Sequence, residues 1–399
     1  MTRDARPPDY VLMLAVAALV MVGLLMVYST TFDWGYGQYG DPLYWLKRHV
    51  LWLALGVAVA VALTRIDYTL WRDWAVPLLG GTLLLLVLVL IVGRPQGGMQ
   101  RSLLGSSVQP GELAKVATVI YAAAWASSKG ERIRDLTYGL IPFSVWMGLV
   151  AGLVALQPDL STMAVIVVTG FVVFFLSGAH IGQLFVAGLM GGAVFWGLVT
   201  VYPHAHERLE AFLAGLKDPS LLPYHPQQAL YALASGGLFG TGLGEGRVKF
   251  YLPAAHTDAV FAVTGEELGL VGCLTVIGLF GILAWRGFRI ALRARDSFGG
   301  LLAAGLTALL VFQALFNIGV IVSLLPFTGT NLPFIGVGGS SLVTSLAAVG
   351  LLESVARGRP PRRWKGEEVQ PQYGLPRRHQ DTKSNHPQRT RRDIKDSLL

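Results

Sequence analysis

The sequence predicts an all-α, polytopic membrane protein of ten transmembrane helices, with a large structured extracytoplasmic loop between the seventh and eighth. Three observations predict it. Hydrophobic residues make up 53% of the 399 residues and charged residues only 14%, where a soluble chain carries about 25% charge. Apolar runs near the ~20 residues needed to span a bilayer recur along the chain. One long polar connection, 202–257, interrupts them.

The clear spans are 11–28, 74–92, 138–156, 160–176, 181–201, 259–285, 301–325 and 334–352; the shorter 50–63 and the polar-entry run 113–126 complete ten. The first run is long enough to span and has no small-residue cleavage pattern, so it reads as an anchor and not a cleavable signal. An even count puts both termini on one side. Arg3 and Arg6, Arg65 and Arg72, the Lys129–Arg134 group, the Arg286–Arg295 group and the basic tail fall on alternate connections. The positive-inside rule makes that side cytoplasmic. Opposite connections carry Lys47, Arg48, Arg94, Arg101, Arg208, Lys217, Arg247 and Lys249, balanced by acids such as Asp33, Asp41, Glu207 and Glu245. Trp34, Tyr36, Tyr39, Tyr44 and Trp45 then read as an outer aromatic belt.

The domain plan is a cytoplasmic N-terminus (1–9), a ten-helix transmembrane domain (10–356) and a basic cytoplasmic tail (357–399). After Glu353 the tail holds 12 of the 32 Lys and Arg against 5 acids and is almost free of apolar residues, the composition of a disordered segment able to touch anionic lipid heads. The 202–257 loop is the opposite case. "HERLEAFL" reads as a helix ended by Asp218-Pro219, "PQQALYALASGG" as an amphipathic helix stopped by glycines, and "GTGLGEG" as a glycine-rich turn. It reads as a folded lid at the outer membrane surface.

Ionisable residues in or beside spans are functional candidates. Asp258 lies at the outer end of a span; on a continuous helix Ala262, Gly265, Gly269 and Gly272 share its face, so a helix or a substrate can approach closely. Asp258 reads either as a helix N-cap or as a functional carboxylate facing a hollow, with Thr257 able to cap instead. Glu266 and Glu267 sit two turns deeper and read as a structural ion pair with a basic residue elsewhere. Glu112 and Lys115, three apart, can pair locally, either as a self-neutralised helix start behind Pro110 or with Lys115 as a pyrophosphate ligand. Gln157 and Asp159 form a tight outer hairpin. Arg101 and Arg208 are outward cations, solvated or set to meet phosphate. "LPFTGTNLPFIGVGGSSLV" re-enters the membrane as irregular backbone, which survives only against protein or in a wet cavity; Ser340 and Ser341 there either cap a helix or present hydroxyls to a ligand.

No Walker A sequence and no dinucleotide fingerprint occurs, and "GTGLGEG" follows no strand. No His/Cys spacing suggests zinc, and the one cysteine, Cys273, excludes an intramolecular disulfide framework. Nucleic acid is not an expected partner.

The motifs "GLLMVYS", "YWLKRHVLW", "SSVQPGELAK", "LQPDLST", "RLEAFLAGLKDP", "ALASGGLFGTGLGEG", "YLPAAHTDAVFAVTGEELGLVG" and "LPFTGTNLPFIGVGGSS", in this order from Val11 to Leu352, resemble the SEDS family: the FtsW and RodA cell-wall polymerases and their sporulation relative SpoVE. "GTGLGEGRVKFYLPAAHTD" is more similar to FtsW than to RodA. The chain departs from the family pattern at Gly111, Ala255, Ala259-Val260 and Gly336-Val337. The resemblance implies ten helices and a peptidoglycan glycosyltransferase that polymerises lipid II outside the cytoplasmic (inner) membrane, releasing undecaprenyl pyrophosphate. It implies that the aspartate of "HTD", Asp258, is essential, and that a class B penicillin-binding protein is a partner, with other divisome or elongasome membrane proteins.

On that reading Asp258 is the general base on the acceptor's GlcNAc 4-hydroxyl. The substrate-binding candidates are Arg101, Glu112, Lys115, Gln157, Asp159, Arg208, His256, Thr257, Ser340 and Ser341. Arg101, Lys115 and Arg208, or a divalent cation (Mg or Mn), would offset pyrophosphate charge. The alternatives are a RodA-type elongation polymerase, a lipid II flippase, and a scaffold that recruits a transpeptidase.

Overall fold

The structure is a computed structural model that describes residues 6–93, 102 and 109–358; Arg101 and the tail from 359 lie outside the described residues. Thirteen α-helices and no strand are found among the described residues: α1 (Tyr10–Tyr39), α2 (Tyr44–Arg65), α3 (Leu70–Asp73), α4 (Ala75–Val92), α5 (Pro110–Lys129), α6 (Ile141–Ala155), α7 (Leu160–Leu176), α8 (Ile181–Val201), α9 (Pro203–Lys217), α10 (Tyr224–Ser235), α11 (Val260–Leu292), α12 (Ser297–Ile321) and α13 (Gly339–Arg357). Eight of these, counting α6 with the turn before it as Leu136–Ala155, are long and apolar enough to cross a membrane; α7 is a shorter apolar helix. The all-helical class and its membrane character agree with the sequence reading. α5 falls below the apolar criterion because its first turns carry Glu112 and Lys115 on an otherwise Ala-rich helix.

α12 is the centre of the bundle. Leu302, Ala303, Leu306 and Thr307 on it are fully buried, and it packs against α5, α7, α11 and α13. Glycines set the closest approaches. A Cβ on Gly350 of α13 would stand 2.6 Å from the Ala60 carbonyl of α2, and one on Gly305 of α12 would stand 2.7 Å from Val119 of α5. Small residues allow such close contact where no hydrophobic gain separates helix from lipid.

α1 starts and α13 ends at the same end of the bundle, where one cluster joins them. Asp9 caps α1, its Oδ1 accepting from Leu12 N–H at 3.1 Å. Arg286 of α11 donates to Asp9 Oδ2 at 2.6 Å, and the Asp9 N–H donates to Glu353 Oε2 at 3.0 Å.

Three expectations are corrected. The first helix runs eleven residues past Tyr28, to Tyr39, because no proline or helix-ending glycine intervenes before Gly40, whose φ of 66° closes it. The penultimate span ends at Ile321 and the last begins at Gly339; Ser323 and Phe334 between them adopt φ of 56° and 69°, and Pro326 and Pro333 cannot donate backbone hydrogen bonds to continue a helix. The third concerns the span after Asp258. It is broken, not continuous: Gly269 has φ 67° and ψ −166° inside α11. The freed backbone is satisfied by the glycine-rich turn after α10. Thr241 and Gly242 N–H donate to the Glu266 and Glu267 carbonyls at 2.9 and 3.1 Å, while Leu270 and Val271 N–H donate to Gly237 and Leu238 at 2.9 and 3.2 Å. Gly265 meets Leu233 of α10, so the small face beyond Asp258 seats this segment and does not open onto a hollow.

Glu266 and Glu267 complete the docking. Glu267 is 1% exposed. Its Oε1 accepts from Lys249 Nζ at 2.9 Å and from Ser29 Oγ of α1 at 2.5 Å. Glu266 Oε1 accepts from Arg247 and Val248 N–H at 2.7 and 3.0 Å. The structural ion pair expected for these acids is therefore Lys249–Glu267, and it ties α1, α11 and the segment between α10 and α11 together.

Candidate active site

Where α1 finishes and α2, α5, α7, α11 and α13 begin, the helices leave a cavity of about 390 Å³. Asp258 lines it, together with His256, Thr257, Glu112, Lys115, Asp159 and Ser340. Residues far apart in sequence thus meet in one hollow.

Asp258 sits in the turn before α11, whose N-cap is Ala259. Ala254, with φ 53°, closes the turn by accepting from Thr257 and Ala259 N–H at 3.0 and 3.2 Å. Asn317 of α12 clamps the turn from below. Its Nδ2 donates to the Asp258 carbonyl at 2.7 Å and to the Thr330 carbonyl at 2.6 Å. The irregular 322–338 segment packs alongside: Val337 N–H donates to the His256 carbonyl at 2.8 Å. A Cβ at Gly329 would stand 2.8 Å from Asp258 Oδ2, so glycine there makes room for the carboxylate. Burial holds the His256 imidazole below the usual histidine range, which favours its neutral form beside the aspartate.

The opposite wall starts at Pro110, at N1 of α5, where its missing N–H costs nothing. Glu112 Oε2 and Lys115 Nζ are 2.8 Å apart and buried. Lys115 Nζ also donates to Gln313 Oε1 at 2.8 Å, and Gln313 Nε2 donates to the Asn331 carbonyl at 3.0 Å. The local pair expected from the sequence forms, and it lines the cavity. Asp159 caps α7: Oδ1 accepts from Thr162 N–H at 3.0 Å and from Ser161 Oγ at 2.8 Å.

Several N-caps line the same cavity: Gln109 for α5, Asp159 for α7 and Gly338 for α13. Each helix start carries roughly half a positive charge, which adds to the charges of the side chains that line the hollow. Lys115 and Arg48 supply two cations, and Glu112, Asp159 and Asp258 supply three carboxyl groups. The helix starts and the two cations offer hydrogen-bond donors to an anion, and Asp258 lines the same hollow.

Other candidates lie elsewhere. Gln157 is 1% exposed and donates to the Leu86 carbonyl at 3.1 Å, fixing the hairpin to α4. Arg208 lies over Phe327 at 5.5 Å and lines a separate hollow of about 140 Å³. Ser341 is buried and does not line the cavity. Arg101 lies outside the described residues. Among the described residues no group of three His, Cys, Asp or Glu side chains is placed to hold a metal ion.

Sequence reasoning missed Arg48, Gln313 and Asn317. Gln313 and Asn317 are amides four apart in an otherwise apolar span, a spacing that puts them on one helix face. Trp34 and Trp45, read from the sequence as part of an outer aromatic belt, also line the cavity, and Trp45 keeps edge contacts with Tyr39 and Tyr44 of that group.

The sequence profile of the FtsW/RodA/SpoVE family, described as cell cycle protein, matches residues 10–360. A probable peptidoglycan glycosyltransferase FtsW of Trichlorobacter lovleyi is 40% identical over 355 residues, covering 88% of this chain and 93% of that one. Stage V sporulation protein E of Bacillus subtilis is 39% identical over 368 residues, 90% of this chain and 99% of the other. Among solved structures, a chain from a peptidoglycan synthase complex that coordinates polymerization and crosslinking superposes with a TM-score of 0.71 at 31% identity, over 88% of this chain and 98% of that one. The rod shape determining protein RodA of Thermus thermophilus gives 0.65 at 32% identity, over 88% and 97%. With nearly all of its described length matched in sequence and in fold, the chain belongs to the FtsW/RodA/SpoVE family of cell cycle proteins.

Proposed function

We propose that this chain is a peptidoglycan glycosyltransferase that polymerises lipid II into β-1,4 glycan strands at the outer face of the cytoplasmic membrane, for septal synthesis. The observation that carries the reading is one cavity that Asp258 shares with three helix starts, Lys115 and Arg48. Glycan transfer needs both halves. A sugar hydroxyl is a poor nucleophile until its proton is taken, and a positioned carboxylate contributes roughly 10²–10⁴-fold. Asp258 takes the proton of the acceptor's GlcNAc 4-hydroxyl as its oxygen bonds to the donor's anomeric carbon. The bond from that carbon to pyrophosphate breaks, and undecaprenyl pyrophosphate leaves with the electron pair. One in-line displacement inverts α to β. The positive helix ends and the cations stabilise the leaving charge. Because Lys115 is already shared with Glu112, the backbone N–H groups at the helix starts carry part of that task.

Ten spans, with α5 and α7 counted, put both termini in the cytoplasm, as the Lys/Arg bias supports, and put the cavity and the 202–257 segment outside. The names of the FtsW relatives support the septal role. The synthase-complex neighbour supports a class B penicillin-binding protein as partner.

The test is lipid II polymerisation by the purified chain, with and without a transpeptidase partner. Asp258→Asn should insert and elute as the wild type does and make no polymer. Near wild-type polymer from Asp258→Asn would remove Asp258 as the base. Translocation of labelled lipid II in liposomes without polymer would assign the chain to lipid transport.

A further inference from the structure

Trp34, Trp45 and Trp52 line the cavity that holds Asp258. Each is half-buried. Trp74, Trp196 and Trp285 differ: they are 57%, 62% and 58% exposed, as membrane-belt tryptophans are. The cavity tryptophans are also ordered against one another. The indoles of Trp34 and Trp45 are parallel within 6° at 4.6 Å. His256, two residues before Asp258, tilts against Trp34 at 4.7 Å. The Trp52 indole lies on the backbone of Gly339, where a Cβ would stand 2.5 Å from the ring.

One side of the hollow is therefore mainly aromatic, with the Arg48 guanidinium 5.7 Å over Trp45, and the other carries Lys115 with Glu112 and Asp159. A pyrophosphate needs only the charged side. A pyranose ring is amphiphilic: hydroxyls surround its edge and axial C–H bonds cover its faces. The negative face of an indole attracts those polarised C–H groups, and a few placed polar groups around an apolar wall fix orientation. His256 couples this wall to the turn that carries Asp258.

Resting on the glycosyltransferase reading above, we infer that Trp45 and Trp52, with Trp34 stacked behind Trp45, form a platform for a sugar ring of the glycan acceptor, holding its hydroxyl edge toward Asp258. The ligand class is a β-1,4-linked N-acetylated hexosamine chain, recognised without its lipid or pyrophosphate.

The probe is a soluble GlcNAc–MurNAc tetrasaccharide carrying neither lipid nor pyrophosphate, used with the full purified chain. Saturation-transfer NMR, with protons retained only on tryptophan, should carry magnetisation from the indoles to the axial C–H protons of the sugar. The tetrasaccharide should compete with lipid II in the polymerisation assay. Trp45→Ala and Trp52→Ala should weaken tetrasaccharide binding and raise KM for lipid II by about tenfold, the size of one aromatic contact, with less change in kcat. Trp45→Phe and Trp52→Phe should restore most of it. Tetrasaccharide binding without indole transfer overturns the inference, and that result needs no variant to fold. Unchanged KM in both alanine variants also overturns it, as does failure of phenylalanine to rescue. A wild type that binds the sugar through its indoles yet makes no polymer keeps the platform and removes the polymerase reading; polymer without indole contact does the reverse.

Discussion

The side-chain amide of Asn317 donates to the Asp258 carbonyl at 2.7 Å and to the Thr330 carbonyl at 2.6 Å. One group on the central helix thus joins the turn that carries the proposed base to the irregular segment that forms the cavity wall. Asn317→Leu removes both donors and leaves one buried and one part-buried carbonyl without this partner, at about 1–3 kcal/mol for the buried one. The variant should melt lower by several degrees. Its polymerisation should fall by about 10²-fold, because a base misplaced by about 1 Å loses that much. Asn317→Gln, which keeps the amide, should recover stability more than rate. Melting curves and lipid II turnover on the three proteins check this.

Glu112 and Lys115 are a buried pair 2.8 Å apart. Removing one partner strands a buried charge and costs about 3–5 kcal/mol, whereas replacing both with apolar groups can be nearly neutral. Lys115→Met alone and Glu112→Gln alone should each be strongly destabilised. The double variant Glu112→Leu/Lys115→Met should regain much of the lost stability and none of the polymerisation. If the double variant polymerises normally, the pair serves only as a helix start.

His256 is held below the usual histidine range by burial. Between that depressed value and the unfolded value near 6.5, the unfolded chain binds more protons, so stability rises with pH across the window. The contribution is full above pH ~6.5 and is lost as pH falls toward the folded pKa. Melting temperature should therefore drop on going from pH 7.5 to 5.5, and His256→Gln should flatten the acid limb. His225, also depressed by burial, adds to the same slope and is the control, since it lies against Phe327 in the smaller hollow.

What the sequence made legible follows the range of each interaction. Glu112 and Lys115 are three apart, so their pairing can be read from helix geometry alone. Asp258 carried two readings on its own chemistry, and resemblance chose between them. Lys249 could not be matched to Glu267, because the partner choice depends on how an outer segment folds back across α11. Trp34 and Trp45 have the composition of a membrane belt, and that they also line the cavity depends on how the end of α1 packs on the start of α2, where the two indoles stack. Gly269 sits in an apolar stretch with helical spacing, where a glycine costs only ~1 kcal/mol. Its break is set by the backbone of another segment, which no periodicity records.

That break gives the sharpest long-range test. Gly269 holds φ 67° and ψ −166°, a region essentially restricted to glycine and costing other residues about 1–3 kcal/mol. A Cβ there would also stand 2.5 Å from the Leu238 carbonyl, so the turn after α10 would have to leave. Leaving exposes the Glu266 and Glu267 carbonyls, which Thr241 and Gly242 N–H now satisfy, and unpaired backbone is costly at membrane depth. The Lys249–Glu267 ion pair, at 2.9 Å, would open with it. Gly269→Ala should therefore raise hydrogen exchange through 237–249, lower the melting temperature and reduce polymerisation, although residue 269 does not line the cavity. Glu267→Gln should give the same exchange pattern by removing the other end of the latch. Exchange at 237–249 that stays at wild-type protection in both variants would show that the segment is held by something other than the break in α11.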